Sequence, residues 1–288
     1  MRAATKTEVN HHGSRRPLTA LIKRPWLLTI LLATGLCIAY LIGVVVSWND
    51  VADRTLYADL GMIPIGLAAT LLALSASKAQ PNAFSRWAWR LMGAGLACFW
   101  AGDVIFFVYR NILGSAPFPS LADAGYIVYY PLIFAGVLCI RGRRGARRRL
   151  ALDVGFWLAL GAGVIAVSYL LLLTTLQSSR DDLLAYSLTV GYPVGDMLVL
   201  AAIAWLLLRR VQGRRWSVLL LCAGLIAGLV ADVSYGYDNV RGVVQSGGFP
   251  DAAYMVSWTL FAWAGFMEVT RSHKGRTDRR RSDRPDER

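Results

Sequence analysis

The stretch GDVIFFVYR, residues 102–110, sets Asp103 into a run that is otherwise apolar, and ADVSYGYDN, residues 231–239, sets Asp232 into similar surroundings. The two aspartates are 129 positions apart, and the same offset relates Asp53 to Asp182, Tyr57 to Tyr186, Pro64 to Pro193 and Gly66 to Gly195. It also relates Arg86 and Trp87 to Arg215 and Trp216, Leu91 to Leu220, and Gly95 to Gly224. One residue dropped from a loop then aligns Asp123, Ala124, Tyr126, Val128 and Leu132 with Asp251, Ala252, Tyr254, Val256 and Leu260. One register held over so long a stretch predicts a tandem duplication, with repeats at 26–145 and 146–270.

Apolar runs of about 20 residues cross a bilayer as helices because only there can every backbone polar group bond within its own segment. Eight such runs are expected, at about 26–47, 57–77, 88–109, 121–140, 153–176, 187–208, 216–237 and 252–270. The fold class that follows is an all-α integral membrane protein of eight transmembrane helices, a parallel repeat of a four-helix unit. Alternating patterns of the kind a β-barrel needs are missing. With 56% hydrophobic residues the composition is not that of a soluble domain.

The net charge of +13 is not spread as a nucleic-acid footprint would be. Lys and Arg gather in the tail at 1–25, at Lys78 to Arg90, at Arg141 to Arg149, at Arg209 to Arg215 and from Arg271 onward. The alternate loops hold single cations, Arg54, Arg110, Arg180 and Arg241. By the positive-inside rule, both termini are expected in the cytoplasm, with the first run an uncleaved anchor in the cell (plasma or inner) membrane. The segment 271–288 is polar and charge-dense and reads as a disordered cytoplasmic tail. The lipid bilayer is the expected partner, and no nucleic acid is.

Carboxylates inside a membrane are costly and by default face a bundle interior or a wet cavity. Asp103 and Asp232 lie in equivalent helices and are positioned to face one another across the pseudo-two-fold. Asp196, in GYPVGDMLVL, sits about 15 Å along its helix at 1.5 Å per residue. Asp123 and Asp251 open their helices, where a carboxylate also serves as a cap. With Tyr126, Tyr192, Tyr235 and Tyr254, these residues form a candidate acidic and aromatic ligand-binding cavity near the outer face. Tyr109, Tyr130 and Trp258, close to helix ends, fit an aromatic belt at the membrane surface instead.

The three histidines lie in the tails and the four cysteines lack motif spacing. No metal site, cofactor or disulfide is expected on that basis. Nor is there a Gly-x-Ser-x-Gly elbow.

The strings WAGDVIFFVY, SLADAGYIVYYPLIFAGVL, GYPVGDMLVL and FPDAAYMVSW resemble the polytopic N-terminal membrane domain of bacterial diguanylate cyclases and phosphodiesterases that carry GGDEF or EAL modules. The resemblance spans about residues 26–270. It implies a sensory or transducing module and marks Asp103, Asp123, Tyr126, Tyr130, Pro131, Tyr192, Pro193, Asp196, Asp232, Asp251 and Tyr254 as signature positions. It departs from that pattern after residue 270, where no output enzyme follows. The expected function is a non-enzymatic bacterial sensor that takes a small or lipid-borne molecule and signals to a separate cytoplasmic protein. A homodimer is left open, as are two other functions. Parallel repeats with buried carboxylates also suit a proton-coupled transporter. The string GDMLVL loosely resembles an element of lysoplasmalogenase-type lipid hydrolases.

Overall fold

A computed structural model describes residues 25–46, 51–115, 117–140, 183–208, 215–240 and 247–282. These residues form seven α-helices and no strand: α1 (Pro25–Val46), α2 (Val51–Ala79), α3 (Ala83–Phe107), α4 (Leu121–Leu138), α5 (Leu183–Leu208), α6 (Arg215–Val240) and α7 (Phe249–Ser282). The chain leaves α3 through a wider π turn, Val108–Ile112, and Gly114 at φ +64° then ends the segment. Six helices, α1 to α6, include stretches long and apolar enough to cross a membrane, the architecture of a multi-pass membrane protein. The expected helix at 153–176 lies outside the described residues.

The helix α7 departs from expectation in two ways. Its run at 252–270 is not among the six, because Ser257, Thr259 and Glu268 dilute its hydropathy while facing inward, all three buried. It also continues to Ser282 instead of ending near residue 270.

Around the bundle the order of neighbours is α2, α3, α4, α5, α6, α7 and back to α2, a closed ring of six helices. The remaining helix, α1, lies outside it over α2 and α7. Small residues set the closest approaches. On the α2/α7 seam Ala69, Ala73, Ala76 and Ala262 are fully buried, and a Cβ on Gly265 would meet the Leu72 carbonyl carbon at 2.8 Å. Between α3 and α4, a Cβ on Gly136 would lie 2.9 Å from the Ala88 carbonyl oxygen. Such contacts bring backbones together where lipid supplies no hydrophobic drive for helix association.

At the end of the ring nearest residues 79–83 the interior is apolar. Trp89, Met92, Ile133, Val137, Leu225 and Phe261 converge on a cavity of only about 10 Å³, too little for more than a single water. Beyond it, close to the same end, Gln80 Nε2 donates to Glu268 Oε2 at 3.0 Å, both side chains being buried. This polar tie between α7 and the residue after α2 was not foreseen from the sequence.

Candidate functional site

The opposite half of the ring is acidic and aromatic, and each Gly-Asp pair of the sequence has the same local design. A Cβ on Gly102 would meet Cε1 of Tyr126 at 2.7 Å, and the Tyr126 hydroxyl donates to Asp103 Oδ1 at 3.1 Å. A Cβ on Gly195 would meet the Tyr130 ring at 2.5 Å, and the Tyr130 hydroxyl donates toward Asp196 Oδ1 at 3.4 Å. The glycine lets a tyrosine from the neighbouring helix lie flat on the backbone, so that its hydroxyl reaches the next carboxylate. Ala231, fully buried, precedes Asp232 in the same way, and the Tyr254 hydroxyl donates to Asp232 Oδ1 at 2.5 Å.

Tyr130 joins these groups across helices. Its hydroxyl also lies 3.4 Å from Asp232 Oδ2, so α4 reaches both α5 and α6 through one side chain. Asp196 and Asp232 thus share one tyrosine hydroxyl. Asp123 Oδ2 accepts from the Ser120 backbone N–H at 2.7 Å and the Ser120 hydroxyl at 2.9 Å, a helix cap for α4. Its other oxygen, Oδ1, accepts from the Tyr192 hydroxyl of α5. Asp251 caps α7 by accepting from the Gly247 N–H at 2.6 Å.

Asp103 and Asp232 do not meet across the centre. The ring of Phe99 stands between their tyrosines, 4.8 Å from Tyr126 and 5.9 Å from Tyr254, and packs edge-on against Trp258 at 5.5 Å. The centre of the cluster is thus filled by side chains. Tyr130 and Trp258, expected in a surface belt, are 2% and 3% exposed and lie inside the ring. Tyr235, expected in the site, is 42% exposed. The other expected site residues fall in the same half of the ring, with Asp123 and Asp251 at its rim.

Sequence reasoning left five residues at that rim out of the site. Asp59 Oδ2 accepts from Asn111 Nδ2 at 2.7 Å and lies 4.0 Å from Arg110 Nε. Tyr40 of α1 and Arg54 of α2 are buried beside them, with Asp59 and Asp251 in electrostatic reach of Tyr40. Arg54 and Arg110 read as loop cations because the helices were drawn too short there, whereas Asp59 lies inside the expected run at 57–77 and was not singled out. Tyr40 carried no signal in a run of apolar residues.

Conservative changes separate the bonds of this cluster. Tyr254→Phe removes the short bond to Asp232 and is expected to cost about 1–3 kcal/mol of unfolding free energy, the range for leaving a buried acceptor unpaired. Tyr130→Phe removes only two long contacts and is expected to cost less than Tyr254→Phe. Equilibrium unfolding in mixed micelles checks the order; Tyr130→Phe proving the costlier would contradict this geometry.

Comparison with family models, curated proteins and solved structures finds no match to this chain.

Proposed function

We propose that the protein is a non-enzymatic membrane sensor whose ligand, small or lipid-borne, is recognised by the carboxylates of this cluster. The observation that carries the reading is the placement of the hydrogen bonds that join the two parts of the ring. Tyr192 to Asp123, and Tyr130 to Asp196 and Asp232, link α4 to the helices that follow it. A molecule competing for those carboxylates alters how the parts pack, which is what a transducer requires.

A duplicated architecture supports the same reading. Exchanging α2, α3 and α4 for α5, α6 and α7 carries the order around the ring onto itself. The bond of Asp103 to Tyr126 then maps onto that of Asp232 to Tyr254, at equivalent positions of the repeat. Among the described residues the packing around Trp89 and Phe261, between the cluster and the far end of the ring, is apolar, which favours binding over transport. With the basic residues on the cytoplasmic side, the cluster faces outward and a separate cytoplasmic protein reads the change at the other end.

The test is purification in mild detergent of the wild type and the Asp103→Asn, Asp232→Asn double variant, with mass spectrometry of everything retained. A small molecule or signalling protein that accompanies the wild type and is lost from the variant is the expected result. Bulk lipids alone, identical in both, would overturn the reading.

A further inference from the structure

We propose that the end of the ring nearest residues 79–83 carries two equivalent binding sites for anionic phospholipid headgroups. One is at the start of α3, on Arg86, Trp87 and Arg90; the other is at the start of α6, on Arg215 and Trp216. They lie away from the carboxylate cluster and do not depend on the sensor reading. Trp89 and Leu221, each six residues past the first residue of its helix, line the same small cavity, so the two helix starts share one end of the ring. In the ring α3 and α6 stand opposite each other, which puts the sites on opposite flanks.

Packing does not explain these residues. The offset of 129 that relates the two copies pairs Arg86 and Trp87 with Arg215 and Trp216. All four side chains are exposed, the indoles at 54% and 72%. The Arg90 guanidinium lies 5.4 Å from the centre of the Trp87 ring, so that ring stands among cations. Helix physics does not explain the cations either. Arg86 and Arg90 are four residues apart on one helix face, where like charges repel. Both sites open a helix, whose dipole makes that end positive, and neither first turn holds an acidic residue. Among the described residues no carboxylate forms an ion pair with Arg86, Arg90 or Arg215.

A bound anion relieves each of these costs, and the surroundings select its kind. The arginine fork matches phosphate oxygens in two parallel hydrogen bonds. An indole belongs where one side is apolar and the other wet, the level of lipid headgroups. Leu219, exposed about one turn further into α6 than Trp216, offers apolar surface to an acyl chain. A free phosphate would engage the arginines and leave Trp216 and Leu219 uncovered. A zwitterionic headgroup brings an ammonium that the arginines repel, whereas a net negative headgroup does not.

The full chain in a non-ionic detergent is titrated with phosphatidylglycerol, and separately with phosphatidylcholine, and native mass spectra count the lipids retained. Saturation at two phosphatidylglycerols per chain, with no phosphatidylcholine retained at the same concentrations, is expected. The double variant Arg86→Gln, Arg90→Gln and the single variant Arg215→Gln are each expected to lower the count to one, with binding at the altered site weakened about tenfold. The lipid still held at the untouched site shows that each variant is folded. The double variant Lys78→Gln, Arg271→Gln removes two exposed cations from the same end but outside both sites, and is expected to leave the count at two. No retained phosphatidylglycerol, equal retention of phosphatidylcholine, no loss in either site variant, or as large a loss in the Lys78→Gln, Arg271→Gln variant would overturn the proposal. Dimers in place of lipid-bound monomers, dispersed by the site variants, would make the surface a contact between copies and overturn it as well.

Discussion

Gly125→Ala is expected to lower the unfolding free energy by about 3 kcal/mol, the upper end of what overpacking costs. A Cβ at Gly125 meets the carbonyl oxygen of Cys98, and beyond it the backbone nitrogen and Cα of Gly102 at 3.2 and 3.3 Å. These are main-chain atoms of α3 and cannot rotate aside. The helix must move bodily, and Asp103, the next residue, moves with it away from Tyr126. Gly265→Ala is expected to act in the same manner on the α2/α7 seam, against the Leu72 carbonyl carbon at 2.8 Å and the Ala73 nitrogen at 3.0 Å. Gly61→Ala meets the terminal carbon of Met255 at 2.7 Å, an end that swings away, and is expected to be mild. Gly35 and Gly236 have nothing within 4 Å, so alanine there is expected to be neutral or to stabilise by up to about 1 kcal/mol through helix propensity. Equilibrium unfolding in mixed micelles measures the series. Equal effects at Gly125 and Gly35 would refute the close packing of α3 on α4.

Asp123→Ala is expected to cost about 2–4 kcal/mol, because one side chain does two jobs that are usually separate. It loses a helix cap, about 1 kcal/mol, and leaves the Tyr192 hydroxyl unpaired, about 1–3 kcal/mol. Asp251, in the first turn of α7, is bonded to the Gly247 N–H alone among the described residues, so Asp251→Ala is expected to cost about 1 kcal/mol. The ratio of the two losses measures the bond between α4 and α5. A double-mutant cycle of Asp123→Ala with Tyr192→Phe isolates it, and a coupling energy near zero would remove Tyr192 from the cluster.

Helix type and approximate span were legible from sequence because a bilayer leaves few alternatives: an apolar run of sufficient length must satisfy its own backbone. The location of the candidate site was legible for the same reason, since a carboxylate such as Asp103 or Asp232 in an apolar run has nowhere to go except inward. Which tyrosine meets which aspartate was not. Tyr130, which reads from sequence as a belt residue near a helix end, sits near the middle of α4. It bridges Asp196 and Asp232 only because the ring closes with α4 beside α5 and Gly195 opens room for its ring. Glu268 and Gln80, far apart in the chain, likewise became a buried pair only when α2 and α7 packed along their alanine and glycine faces. Local chemistry thus determined the helices and the carboxylates that must be buried. The partners of those carboxylates were decided by tertiary structure, because a side-chain hydrogen bond between helices depends on distances that no local pattern encodes.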